Sequence, residues 1–504
     1  MMRRFMATTL VHPETATARG GYPWLPVAAI GLAVVAFEAL AATRYGYHRD
    51  ELYFMAAGRR PAWGYVDQPP LTPLLARLAG NSLLGLKLLA AVAGAAVIAM
   101  GAAIARELGG GRRAQVATAL ALATSTVFVV VRHLFSTSAF DVVAWTALLL
   151  LTARLLRGAD RRLWLAVGAV AGVGLLNKHL VLVLGVGLVG GLLVGRRTDA
   201  LRTPWLWAGG MVALALAAPN IAWQVANDWP TAEMTALLAE EHGGVEGVAE
   251  LVLGQFLVVN PFLAPLWVAG LVWLLRSPRA RPFRPLGWAA LLVFATFVLT
   301  GGQVYYPAGL YPALFAAGAV AVEPLLVRRP ALVAGVALTG LLPLVAVVPV
   351  LPAAGLNREP LASVVGALGE HQVESLGWPE LVSAVARVRE GLPAAERDGL
   401  VVLTGNYGEA GAIERFGPAL GLPTPISGHN AYGMWGPGDA GDGATIAVGL
   451  GAADLSRVFR DCRPAARITN RAGVANEEAG LPITLCRGLR GTWAEHWPQL
   501  VHLG

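Results

Sequence analysis

Between two apolar runs, the stretch HRDELYFMAAGRRPAWGYVDQPPLTP (His48 to Pro73) gathers Arg49, Asp50, Glu51, Arg59, Arg60 and Asp67. A carboxylate so placed can take the proton of an attacking hydroxyl. A guanidinium or ammonium group can stabilise negative charge developing on a departing phosphate. A second acid, Asp141, stands in STSAFDVVAW at the head of another apolar run. An ionised carboxylate there is costly unless it is paired or faces a polar cavity. Lys178 and His179 in LLNKHLV, and Gln303, Tyr305 and Tyr306 in GGQVYYPAGLYP, supply donors between other apolar runs. Each group has a plainer reading. Ser136 to Asp141 can be a capped helix start, Lys178-His179 a polar turn, and the tyrosines part of an interfacial belt.

The motifs that are missing narrow the chemistry. The chain has no Walker loop, no G-x-G-x-x-G unit, no nucleophile elbow and no H-E-x-x-H. Nothing cradles a nucleotide's phosphates. No cofactor is indicated, although Asp50 and Asp141 can share a divalent ion. The net charge of +7 does not point to nucleic acid, because Lys and Arg fall in short clusters between apolar runs.

The elements that position these residues are membrane spans. The 504 residues are 56% hydrophobic and 14% charged, against about 25% charged in soluble proteins. About 20 helical residues cross the hydrocarbon core. Eleven spans are expected, at roughly 22–43, 83–105, 114–131, 138–156, 163–177, 180–195, 204–224, 251–275, 286–300, 305–326 and 330–354. Arg106/Arg112/Arg113, Arg157/Arg161/Arg162, Arg196/Arg197/Arg202, Arg276/Arg279/Arg281/Arg284 and Arg328/Arg329 mark cytoplasmic loops. The acidic, Lys- and Arg-free stretch 226–250 marks an outer loop, as does the region 44–82. The N-terminus is then cytoplasmic. Ala39-Leu40-Ala41 also resembles a signal-peptidase site, but its apolar run is longer than usual, and the following loop is outside either way.

After Ala354 the long apolar runs stop, and residues 355–504 read as an extracytoplasmic α/β domain. GLVVLTGNY, ATIAVGLG and LPITLCRGL are predicted strands and GAIERFG a helix start. Cys462 and Cys486, the only cysteines, are either a disulfide of an oxidising compartment or two buried thiols. In SGHNAYGMWGP, the residues His429, Asn430, Tyr432 and Trp435 suit contact with an acceptor, or form a structural loop.

Asp50-Glu51 followed by AWGYVDQPPL, then STSAFDVVAW, GLLNKH and YYPAGLYPALFAAGAVAVE, resembles bacterial glycosyltransferase family 39, related to protein O-mannosyltransferases and the lipid A aminoarabinose transferase. NYGEAGAIERFG, SGHNAYGMWGP and CRG resemble that group's outer domain. The resemblance implies a mainly α, polytopic GT-C fold with a catalytic first outer loop and a polyprenyl-phosphate-linked sugar as donor. It makes Asp50 and Asp141 the two acidic positions, and Tyr305 and Tyr306 the tyrosines near the donor phosphate. Gln68 and Gln303 stand where relatives often carry a cation. Arg49, Arg59, Arg60, Arg132, Lys178 and His179 are the replacements at hand. Glu51 supports local structure or the acceptor. The expected function is sugar transfer to a protein, glycan or glycolipid at the outer face, among membrane lipids. The alternative is a transporter or lipid flippase, which would show two related halves with broken spans; no internal repeat is evident.

The topology has a direct check. Asp439→Cys is expected to react with a membrane-impermeant thiol reagent in intact cells, or in spheroplasts if there is an outer membrane. Labelling only after the inner membrane is lysed would overturn the assignment.

Overall fold

The computed structural model describes residues 21–80, 82–329 and 373–504, with residues 331, 334, 338 and 341 between them. The expected span at 330–354 and the domain boundary beside it fall almost wholly outside the described residues. Among the described residues, six helices are long and apolar enough to cross a membrane: Trp24–Ala41 (α1), Leu83–Glu107 (α4), Thr137–Leu156 (α7), Pro204–Ala226 (α10), Arg281–Thr300 (with α14 at Arg284–Thr300) and Tyr306–Arg328 (with α15 at Tyr311–Arg328). The chain is a multi-pass membrane protein.

Several expected spans differ in detail. The segment expected at 114–131 is a pair, Arg112–Thr124 (α5) and Thr126–His133 (α6), bent by 62°. The break is at Ser125, which leaves helical geometry at ψ 132° and donates its hydroxyl to the Val259 carbonyl at 2.8 Å. The segment expected at 251–275 is two helices, Gly244–Val259 (α12) and Ala264–Arg276 (α13). Asn260 separates them at φ 96°, immediately before Pro261, and a residue preceding proline is disfavoured in a helix. The stretch 226–250 is helical too: Pro230–Glu241 (α11) meets α12 at 89°. The runs expected at 163–177 and 180–195 are the shorter helices Leu163–Leu175 (α8) and Val181–Val194 (α9). Glycine lets α8 approach α10 closely, since a Cβ on Gly168 would lie 1.9 Å from the Gly209 carbonyl oxygen.

The loop after α1 is ordered as two short helices, Arg49–Arg59 (α2) and Leu71–Leu78 (α3). His48 caps α2, and Glu51 closes a capping box by accepting from the His48 N–H at 3.0 Å. The other Glu51 oxygen accepts from the Phe135 N–H at 3.0 Å and meets the Lys87 ammonium of α4 at 2.7 Å. Neither side chain of that ion pair is more than 3% exposed.

The C-terminal domain is a five-stranded sheet of order β2-β1-β3-β5-β4. Its strands are Val401–Thr404 (β1), Ile426–Ser427 (β2), Thr445–Val448 (β3), Phe459–Arg467 (β4) and Pro482–Leu489 (β5). β1 runs parallel to β2 and β3, while β5 is antiparallel to β3 and β4. Cys462 and Cys486 face each other across β4 and β5 and form a disulfide. The helices of the domain are Trp378–Glu390 (α16), Ala394–Arg397 (α17), Tyr407–Phe416 (α18), Asn430–Trp435 (α19), Ala452–Val458 (α20) and Trp493–Leu500 (α21). Strand β4 escapes sequence reading because most of its residues face solvent and it contains Pro464, as an edge strand permits.

α18 lies on α2. A Cβ on Gly411 would sit 2.9 Å from the Leu52 Cβ, and one on Gly408 2.9 Å from the Arg49 Cβ. Glycine at both positions lets the helices touch. Ion pairs flank the contact: Arg49 with Glu477, and Arg59 and Arg60 with Glu414 at 3.2 and 2.7 Å.

Removing one partner of a buried ion pair typically costs about 3–5 kcal/mol. Glu51→Gln is therefore expected to lower the thermal midpoint of the detergent-solubilised protein markedly, and Glu51→Gln with Lys87→Met to recover part of the loss. An unchanged midpoint in Glu51→Gln would show that the pair does not hold α2 in place.

Candidate active site

Asp50 is the second residue of α2, where the capping box fixes the backbone. Its side chain remains 31% exposed, and Oδ1 accepts a hydrogen bond from the Tyr407 hydroxyl at 2.9 Å. Asp67, in the loop between α2 and α3, accepts from the Tyr53 hydroxyl at 2.9 Å. Burial raises the Asp67 carboxyl to about 6, the Tyr53 hydrogen bond opposes this, and the charge of Asp50 adds to it.

Asp141 lies in the first turns of α7, is 6% exposed, and has no hydrogen-bond partner for Oδ1 among the described residues. Lys178, in the turn between α8 and α9, donates to the Ser138 hydroxyl at 3.2 Å. Its ammonium lies 5.2 and 5.1 Å from the ring centres of Tyr305 and Tyr306. Burial lowers the Lys178 ammonium below the ordinary lysine value, while the charges of Asp141 and Asp50 pull it back up. One cation therefore interacts with two acids and two tyrosines at one end of the helix bundle. Among the described residues, no group of three or more His, Cys, Asp or Glu side chains is placed to hold a metal ion.

Other sequence candidates are placed differently. Glu51 is fully enclosed and occupied by Lys87 and two backbone N–H groups, so it has no free face for a substrate. Arg59 and Arg60 point to Glu414 of the C-terminal domain, and the Arg60 guanidinium lies 4.4 Å from the Trp435 ring centre. These two arginines, expected as donor-phosphate ligands, instead pair with Glu414 and link the first loop to the C-terminal domain. Arg49 pairs with Glu477. Arg132 is buried against Glu38 at 3.0 Å, its charge already matched. His179 meets Asn220 at 3.0 Å, and Asn220 donates to the Trp63 carbonyl at 2.8 Å. His179 thus helps tie the first loop to α10, apart from Lys178. Gln68 is 2% exposed, and neither polar atom of its side-chain amide has a hydrogen-bond partner among the described residues. Gln303 lies in the turn before Tyr305, where its carbonyl accepts from the Tyr306 N–H at 3.0 Å.

Of the candidate acceptor residues, His429 meets the Gly504 carbonyl at 2.7 Å and stacks on His502. Burial lowers its imidazole to about 4. Asn430 exchanges hydrogen bonds with Gly504 and holds φ 49°. These two tie the start of their helix to the chain around residues 502–504. Tyr432 and Trp435 line a cleft of about 640 Å³ with Arg60.

Tyr53 and Tyr407 were not singled out by sequence reasoning, and Asp67 was noted among the loop's charges without a role. Asp67 had a visible signal, an acid directly before Gln68-Pro69-Pro70. Tyr407 had none, since only docking of the C-terminal domain brings it to Asp50.

A helical membrane domain with an acid-bearing first interhelical loop and a small C-terminal α/β domain is an ArnT-like GT-C fold. The dolichyl-phosphate-mannose-protein mannosyltransferase family model matches residues 67–223, a stretch that includes Asp67, Asp141 and Lys178. The structure is similar to that of ArnT from Cupriavidus metallidurans bound to undecaprenyl phosphate, with 17% identity, a TM-score of 0.57, and coverage of 91% of this chain and 97% of that one. Against the apo state of the same ArnT the identity is 17%, the TM-score 0.59, and the coverage 92% and 97%. Compared by sequence with curated proteins, the chain has no match. At these identities the likeness to ArnT is one of fold.

One acid beside the site makes domain stability depend on pH. Burial raises the Glu374 carboxyl to about 7 from an ordinary 4.5, with repulsion from Glu477 adding and Arg49 opposing. Between those values the folded protein holds a proton that the unfolded chain releases. The contribution of Glu374 to stability is thus greatest below about pH 4.5 and declines as pH rises towards 7. Glu374→Gln is expected to flatten the fall in thermal midpoint between pH 5 and 7.5. An identical slope in parent and variant would exclude this proton.

Proposed function

We propose that the protein is a membrane glycosyltransferase that moves a sugar from a polyprenyl-phosphate-linked donor to a hydroxyl acceptor at the extracytoplasmic face. The observation that carries this reading is the convergence of Asp50, Asp67, Asp141 and Lys178, with Tyr305 and Tyr306, at one end of the membrane helices. The ArnT whose fold it shares has been crystallised with undecaprenyl phosphate, which supports a lipid phosphate as the leaving group. The Gln68 amide and Asp141 oxygen, unpartnered among the described residues, support a polar ligand, since a buried polar group left unpaired costs about 1–3 kcal/mol.

In this mechanism Asp50 accepts the acceptor's hydroxyl proton as the acceptor oxygen bonds to the sugar's anomeric carbon. The bond from that carbon to the phosphate oxygen breaks, and its electron pair leaves with the lipid phosphate. Lys178 meets the negative charge developing there, with the Tyr305 and Tyr306 hydroxyls as further donors. Asp141 holds the lysine in place through their mutual attraction. Gln68 donates a hydrogen bond where it carries no charge. The clustering of charges at a single face favours this over a transporter, whose polar groups would line a path through the membrane.

The test supplies membranes with undecaprenyl-phosphate-linked radiolabelled mannose, glucose and arabinose and follows label leaving the lipid. General-base catalysis is typically worth about 10²–10⁴-fold, so Asp50→Asn is expected to lower turnover by that factor with donor affinity little changed. Lys178→Met is expected to weaken binding of undecaprenyl phosphate. Transfer of none of the sugars by the parent protein would overturn the reading. Near-normal turnover by Asp50→Asn would remove Asp50 as the base and leave Asp67 and Asp141 as the candidates.

A further inference from the structure

Tyr407 belongs to the C-terminal domain, yet its hydroxyl donates to Oδ1 of Asp50 at 2.9 Å. The placement is built from several directions. β1 ends at Thr404, and Asn406 caps α18 by accepting from the Glu409 N–H at 2.9 Å. Glu409 in turn accepts from the Gly405 and Asn406 N–H groups at 2.9 and 3.2 Å, so the backbone of the first residue of α18, Tyr407, is held at both sides. The Asn406 amide donates to Glu478 at 2.9 Å. The Tyr407 ring lies 4.7 Å from that of Tyr53 and 4.8 Å from that of His429, centre to centre. The Arg49 guanidinium covers it at 5.7 Å. A ring so confined has little freedom left in the direction of its hydroxyl.

Docking of the two domains does not require that hydroxyl. It is carried by the Gly408 and Gly411 contacts, the Arg59 and Arg60 pairs with Glu414, and the aromatic faces. What the hydroxyl adds is an occupied Oδ1. An ionised carboxylate offers about four lone-pair directions on two oxygens. A charge-assisted bond to one oxygen fixes the rotation of the group and presents the other to a substrate. Burial and the adjoining Asp50 charge keep the phenol protonated, its value well above the ordinary one, so it remains a donor.

We propose that the C-terminal domain contributes a positioning residue to the reaction: Tyr407 holds the Asp50 carboxylate by Oδ1 so that Oδ2 faces the acceptor hydroxyl. This rests on the reading of Asp50 as the base. The domain is then a working part of the site and not only a cover.

The experiment uses the full chain in nanodiscs with the labelled undecaprenyl-phosphate donor that the parent turns over. Hydrogen bonds to charged groups are worth about 1.5–3 kcal/mol, so Tyr407→Phe is expected to lower kcat by about 10- to 100-fold, leaving the KM for donor and acceptor and the thermal midpoint unchanged. Glu414→Gln, which loosens docking without touching Tyr407, is expected to lower the midpoint and to spare kcat in the molecules that remain folded. In the Asp50→Asn background, Tyr407→Phe is expected to cost nothing further, as residues acting as a unit are not additive. A kcat within twofold of the parent in Tyr407→Phe overturns the inference, and so does an equal fold loss in both backgrounds. An inactive Asp50→Asn beside a fully active Tyr407→Phe overturns this inference alone. A fully active Asp50→Asn overturns the assignment of the base and the inference with it.

Discussion

The ion pair between Lys87 of α4 and Glu51 of α2 fixes the rest of the site. Both groups are almost wholly enclosed, and separating them would leave a bare charge in a medium that solvates it poorly. The pair therefore holds the short loop helix α2 against the first layer of membrane helices. Glu51 also accepts from the backbone at His48 and Phe135, so the start of α2 and the approach to α7 share one anchor. Asp50 is the neighbour of that anchored residue, and its direction follows from it.

With α2 fixed, its other face becomes the landing surface of the C-terminal domain. The two glycines of α18 set the distance, and Glu414 collects Arg59 and Arg60 from the end of α2. The charges in this region fall into two groups. Glu51 with Lys87, Glu38 with Arg132 and His133, and Glu414 with Arg59 and Arg60 are paired and serve geometry. Asp50, Asp67, Asp141 and Lys178 keep a face, an oxygen or a shared interaction open. On the proposed reading, the second group is the one that meets the substrate.

On the proposed reading, this division leaves the donor phosphate few cations. Gln68 and Gln303 bring no charge, and the arginines of the first loop are committed elsewhere. Lys178 stands out because its turn between two short helices delivers it to Tyr305 and Tyr306 from another part of the chain. A single lysine placed among acids is strongly oriented by them, and oriented charge matters more to a developing phosphate than the number of charges.

The membrane class, most of the helices and three strands of the C-terminal domain were legible in the sequence, and so were Asp50, Asp141 and Lys178 as candidates. Apolar length, alternating loop charge and an acid beside an apolar run are local signals that need no knowledge of the fold. Breaks at Ser125 and Asn260 were harder to read, because a one-residue departure barely alters a run of apolar residues. Which charges are paired with partners in the fold and which keep an open face was decided only by the tertiary structure. Glu51 and Asp50 are adjacent in sequence and equally acidic, yet one points to Lys87 and the other to Tyr407. Lys87 is 36 positions from Glu51, and Tyr407 is 357 from Asp50. A carboxylate's role depends on what desolvates and pairs it, and those partners are set by packing in space, not by position along the chain.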